Sequence, residues 1–193
     1  MRLEFLLAGL LVATLNSVAF ANVAPSAETH ANMGANIDVN KLTSIKAFQF
    51  NNSNIVTSGL PTETQFAALQ QAGIELVINL IPKNNPNSHN DEASLVTRTG
   101  MQYQQIDVDW QRPTVANVEQ FFAIMDANEG KNILVHCAAN YRASAFYYLY
   151  ELKQGRTDSV EFKQQTMQPW GDLPQSLAAY PQWKALIDAI KNR

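Results

Sequence analysis

The chain has 193 residues, 46% of them hydrophobic and 16% charged, with a formal net charge of -3. A slight acidic excess with no Lys/Arg cluster and no basic helix face argues against nucleic acid or an anionic membrane as partner. One cysteine, Cys137, cannot form an internal disulfide, so its thiol is either buried or useful.

Arg2, an apolar run over residues 5–15 and the small-x-small triplet Ala19-Phe20-Ala21 read as a signal peptide over residues 1–21. The run is short of the roughly 20 apolar residues that a spanning helix requires. The expectation is an exported protein, periplasmic or secreted, with no membrane span in the mature chain. Residues 22–43, rich in Ala and Asn, read as a flexible leader before a single domain over 44–193.

Within that domain, residues 45–50 and 54–57 read as short strands joined by an Asn-rich turn, and Ser58-Gly59-Leu60-Pro61 ends the second. Thr62 and Gln65 form a capping box for a helix carrying Phe66 and Leu69 that stops at Gly73. The mostly apolar run 74–80 predicts a strand buried on both faces. The Asn- and Pro-dense segment 82–90 is a loop. His89 beside Asp91 and Glu92 lacks convergent metal-ligand spacing, and a solvated loop is expected. Asp91 and Glu92 open a short helix ending at Gly100, and residues 101–108 form the next strand, with Asp107 inside it. Thr114 caps a helix whose Val118, Phe121, Phe122 and Met125 share one face and which Gly130 ends. Ile133-Leu134-Val135 is the last central strand. Helices are predicted over 143–153, 159–167 and 175–191. Strands alternating with helices imply an α/β fold with a central, mostly parallel sheet of four to five strands flanked by helices. In such sheets ligands bind beyond the carboxyl ends of the strands, where the loops starting at Pro82, Asp109 and Cys137 would lie.

The chemistry centres on a strand running into His136-Cys137, four residues, Arg142, and a helix. A helix amino terminus presents unpaired N–H groups and positive dipole, so the backbone of Ala138, Ala139, Asn140, Tyr141 and Arg142 can enclose an oxyanion. The same field favours a thiolate, lowering a cysteine from about 8.5 to roughly 4 to 7. Arg142 supplies a planar fork for two phosphoryl oxygens. Attack by Cys137 would give a phosphocysteine that is hydrolysed in a second step.

This pattern resembles the protein tyrosine and dual-specificity phosphatase superfamily. More closely, residues 55–146 are similar to a bacterial branch called the beta-lactamase-hydrolase-like phosphatases. The resemblance rests on Thr57-Ser58-Gly59-Leu60-Pro61-Thr62, Val77-Ile78-Asn79-Leu80, Asp91-Glu92-Ala93 and Val135-His136-Cys137. It implies Cys137 as nucleophile, the 138–142 backbone as phosphate cradle, Arg142 as phosphate binder and His136 as a residue behind the loop that holds it. By position it implies Asp109 as the general acid, with Asp172 a weaker candidate. No metal or cofactor is implied, and the partner is a phosphorylated small molecule or protein.

The sequence departs from that pattern in three places. The superfamily loop has five residues between Cys and Arg; this one has four. Of these four, only Asn140 readily takes a positive φ. The hydroxyl that follows the arginine and assists thiolate departure is displaced, with Ala143 in its place and Ser144 one position later. A one-residue deletion fits these facts, as does a slipped arginine with Ala143 in its place. The loop length also matches rhodanese-like sulfurtransferases, and an inactive anion- or partner-binding module is a third reading. Tyr141 either walls the pocket against an aryl phosphate or packs on the Asp109 loop.

Overall fold

A computed structural model describes residues 36–193 apart from Asn84 and Asn87. The expected signal peptide and most of the expected leader lie outside the described residues. Five strands, β1 (Gln49–Phe50), β2 (Ile55–Ser58), β3 (Leu76–Asn79), β4 (Gln102–Gln105) and β5 (Ile133–His136), form one sheet in the order β1-β2-β5-β3-β4. β2, β5, β3 and β4 run parallel and β1 is antiparallel at one edge. Seven α-helices accompany them among the described residues: α1 (Gln65–Gln71), α2 (Glu92–Thr97), α3 (Val115–Ala127), α4 (Tyr141–Lys153), α5 (Val160–Thr166), α6 (Leu173–Ala179) and α7 (Pro181–Lys191). This is the α/β class that the alternating pattern predicts. No helix among the described residues is long and apolar enough to cross a membrane.

Because successive side chains of a strand point to opposite faces, the three central strands divide their residues between two cores. Ile55, Ile78, Ile133 and Val135 pack with Phe121 of α3, Phe146 of α4 and Trp183 of α7. Val56, Val77 and Leu134 pack on the other face with Phe66 and Leu69 of α1 and Val96 of α2. The alternation puts His136 on the α2 side, and Cys137 is buried in the α3–α4 core.

Several boundaries differ from expectation, each for a local reason. Within the stretch expected as leader, Ile37 and Leu42 are buried in the α1–α2 core, and Asp38 N–H donates to Ala72 O at 2.9 Å. The first strand shrinks to two residues because Ala47, at φ 47°, turns the chain away from the sheet. β4 stops at Gln105, where the Asp107 carboxylate takes the Lys83 N–H (2.9 Å) and the Gln105 side chain (3.1 Å). Asp107 therefore lies in the loop rather than the strand. The helix expected over 175–191 is two helices. Asp172 caps α6 through Gln175 N–H (3.0 Å), and Pro181 at the start of α7 leaves Tyr180 at φ -124°, ψ 66°, as a residue before proline avoids the helical region.

Candidate active site

β5 continues past its last residue in register with β2: Cys137 N–H donates to Ser58 O at 3.2 Å. The chain then turns through Ala138 and Ala139, and Gly59 forms an antiparallel bridge with Ala139. Asn140 takes the left-handed conformation, φ 66° and ψ 3°, and serves as the N-cap of α4. α4 therefore starts at Tyr141, two residues before its predicted start, and Arg142 lies in its first turn. The first hydrogen bond of the helix runs from Ser144 N–H to Asn140 O at 3.0 Å. The amides that precede it at the helix start have no place in the helical ladder and can face an anion.

Cys137 is 1% exposed. Arg142 is 7% exposed, and its Nε donates to Val108 O at 3.0 Å. Its guanidinium carbon lies 5.4 Å from the centre of the Trp110 ring, a cation–π contact. Its two terminal nitrogens make no hydrogen bond among the described residues. The arginine is thus oriented by the 106–110 segment, and its position in the first turn puts it on the same loop as the cysteine.

His136 is fully buried and its Nε2 lies 2.8 Å from Glu92 Oε1 at the first residue of α2. His136 Nδ1 and Glu92 Oε2 are buried without a partner. Tyr103 stands close enough to Glu92 that burial first, and the carboxylate second, push its phenol well above the ordinary range. Asn79 links to this group by donating to Tyr103 Oη at 3.1 Å, while its carbonyl oxygen accepts from Ile81 N–H at 2.7 Å. Glu92 belongs to the Asp91-Glu92-Ala93 match, but nothing in the sequence pairs it with His136, because 44 residues separate them.

Asp109 is half exposed, with its Oδ1 accepting from Gln111 N–H at 2.8 Å and its Oδ2 3.5 Å from Arg112 Nε. The Gln111 amide, assisted by Arg112, holds its carboxyl below the usual carboxylate range. Asp172, the weaker candidate, is occupied as the α6 cap. Ser144 donates its hydroxyl to Tyr141 O at 3.2 Å. His89 is not solvated as expected: its Nε2 lies 2.7 Å from Pro61 O and its ring meets Phe66 edge-on.

Tyr141 stacks on Trp170 at 5.1 Å and 21°, with Trp110 5.9 Å away. Trp170 Nε1 donates to Tyr141 O, and Trp183 Nε1 donates to Trp110 O, both at 3.0 Å. Packing on the Asp109 loop is therefore the role of Tyr141 in this conformation. An aromatic wall of Trp110, Tyr141, Trp170, Tyr180 and Trp183 stands beside Arg142.

Residues 54–145 match a family model described as "Polymorphic toxin system, DSP-PTPase phosphatase". The chain is 50% identical to a DUF442 protein of Shewanella putrefaciens CN-32, described as a candidate phosphatase. That match covers 81% of this chain and 96% of the Shewanella chain, with a TM-score of 0.72. More distant structures share the fold. A cysteine-to-serine form of TpbA from P. aeruginosa, crystallised in complex with pTyr, is 18% identical at a TM-score of 0.53, over 78% of this chain and 99% of its own. PTPMT1 in complex with PI(5)P is 15% identical at a TM-score of 0.55, over 77% of this chain and 99% of its own. No curated protein matches the chain.

Proposed function

We propose, from the premise that this chain belongs to the DUF442 phosphatases of the tyrosine and dual-specificity phosphatase superfamily, that it hydrolyses phosphate monoesters through Cys137. The Cys137 thiolate attacks phosphorus, the ester P–O bond breaks, and the leaving oxygen takes a proton. Water then attacks the phosphocysteine, the P–S bond breaks, and phosphate leaves with the thiolate restored. The observation that carries this reading is the junction of β5 and α4, which joins the thiol, a helix amino terminus and the Arg142 fork within six residues. Dipole, free amides and guanidinium all act on the same anion.

Asp109 is our choice for the proton donor, because it follows β4 on the edge of the sheet that carries the loop. Because its carboxyl is held below the usual carboxylate range, little of it carries a proton near neutrality. Good leaving groups, aryl rather than alkyl oxygens, therefore suit this site. The Trp110 ring beside Arg142 supports the same preference, and a phosphotyrosine-like ester is the favoured substrate class. The signal-like segment over residues 1–21 supports a periplasmic or secreted enzyme.

The test is release of phosphate from an aryl phosphate in the presence of a chelator, with Cys137→Ser as the control. Turnover by the wild type that Cys137→Ser abolishes is expected. Equal rates from the two proteins, across tyrosine, serine and lipid phosphates, would sink the catalytic reading.

A further inference from the structure

The family-model match begins at residue 54, yet the loop after Cys137 is held in part by residues that precede it. Lys46 Nζ donates to Ala138 O at 3.0 Å, across 92 positions of sequence. Lys46 O accepts from Gly59 N–H at 2.7 Å, and Ala47 O accepts from Asn140 Nδ2 at 2.8 Å. Two adjacent residues thus touch the second residue of the loop, its N-cap, and the strand end alongside. Ala47 takes a left-handed φ of 47° to do so, a conformation that costs an alanine energy and persists where the surroundings enforce it. Gly59 suits the same contact: a Cβ there would lie 3.0 Å from Lys46 O and 3.1 Å from the carbons of its stem, so Lys46 would have to give way by a few tenths of an ångström.

We propose that Lys46 is a positioning residue for the anion loop, an inference that rests on the phosphatase reading above. The four residues between Cys137 and Arg142 include only one with positive φ, Asn140, so the loop alone does not determine which way each of its peptides turns. Lys46, together with the Gly59–Ala139 bridge, fixes the peptide between Ala138 and Ala139. In a trans peptide the N–H points opposite to the C=O. Drawing the Ala138 carbonyl toward the ammonium therefore turns the Ala139 N–H the other way. A hydrogen bond from an ammonium is stronger than one between neutral groups, and Lys46 is exposed, so it orders the loop without burying a charge. Its positive charge also stands at the rim of a site that takes an anion.

The experiment compares the full chain with Lys46→Met and Lys46→Arg. Three quantities are read: the inorganic phosphate concentration that halves iodoacetamide alkylation of Cys137, kcat and KM on an aryl phosphate, and the thermal midpoint. Lys46→Met is expected to need about tenfold more phosphate and to lose about tenfold in kcat/KM, as for one charged hydrogen bond. Lys46→Arg, which can still donate to Ala138 O, recovers most of both, and the thermal midpoint stays at the wild-type value in each variant. Wild-type protection and rates in Lys46→Met would overturn the proposal, as would an activity loss that follows a fallen thermal midpoint or that arginine fails to rescue. If the wild type itself shows neither turnover nor protection by phosphate, the phosphatase reading fails first and the role of Lys46 with it.

Discussion

Glu92 Oε1 and His136 Nε2 lie 2.8 Å apart, one at the start of α2 and the other at the end of β5, and both side chains are buried. The contact ties the helix that follows the Pro82 loop to the residue before Cys137. Removing one member of a buried hydrogen bond leaves the other unsatisfied, at a cost of about 1–3 kcal/mol. Glu92→Ala is expected to lower the unfolding free energy in urea by about 2–3 kcal/mol. Glu92→Gln, whose amide oxygen still accepts from the ring, should lose only about 1 kcal/mol. An alanine variant as stable as the wild type would remove the pair from the account of the fold.

Arg142 donates through Nε to Val108 O, and its terminal nitrogens make no hydrogen bond among the described residues. Lysine has no planar fork with which to hold the carbonyl and two phosphoryl oxygens at once. Arg142→Lys should lower kcat/KM on an aryl phosphate by about a hundredfold, near 2.7 kcal/mol at about 1.36 kcal/mol per decade. The concentration of phosphate that protects Cys137 should rise in parallel. If rate and protection both stay within about threefold of wild type, then the arginine does not bind the anion.

The sheet and the turn from Cys137 into α4 were legible because their signals are local. An apolar run into His136-Cys137, a helix after it, and an asparagine able to take positive φ all lie within about one turn of one another. The contacts that hold the loop were not legible. Lys46 meets Ala138 across 92 positions and Glu92 meets His136 across 44, distances over which neither periodicity nor spacing carries information. The burial of Ile37 and Leu42 was hidden by the Ala- and Asn-rich composition around them. The break at Tyr180 was hidden by helical periodicity that continues on both sides of Pro181.

Asp109 titrates below an ordinary aspartate because the Gln111 amide stabilises its charged form, with Arg112 adding to the effect. The protonated form therefore fades at lower pH than it would in a free side chain. If Asp109 is the acid, turnover of an alkyl phosphate should peak on the acidic side and decline toward neutrality. Asp109→Asn should slow the alkyl ester by about 10²-fold or more, while an aryl ester with a good leaving group changes far less. Equal effects of Asp109→Asn on the two esters would exclude the residue as proton donor.

Burial, followed by the nearby carboxylates Glu151 and Asp158, raises the phenols of Tyr147 and Tyr148 above their ordinary value, and Tyr103 is raised likewise. A phenol raised in the fold titrates normally once unfolded, at about 10. The stability it contributes is fully present below that value and is lost as the pH climbs through it toward the folded value. The urea midpoint should hold steady from neutrality to about pH 9.5 and fall beyond about pH 10. A midpoint unchanged at about pH 11 would mean that these hydroxyls are not protected in the fold.

Asn140 combines a backbone role with a side-chain role in one residue. Its φ of 66° turns the chain into α4, and its Nδ2 donates to Ala47 O at 2.8 Å and to Thr57 Oγ1 at 3.2 Å. Alanine there would lose both hydrogen bonds and hold a left-handed conformation that costs a non-glycine residue roughly 1–2 kcal/mol. Glycine would lose only the bonds, since it enters that region freely. Asn140→Ala should therefore be less stable than Asn140→Gly by about 1 kcal/mol in urea unfolding, and both should fall below the wild type. Because the bonds to Ala47 and Thr57 tie the loop to the N-terminal segment, both variants should also alkylate faster at Cys137, as a loosened loop exposes a thiol that is 1% accessible in the fold. Equal stabilities for the alanine and glycine forms would show that the left-handed turn carries no strain, and wild-type alkylation in both would separate Asn140 from the order of the loop.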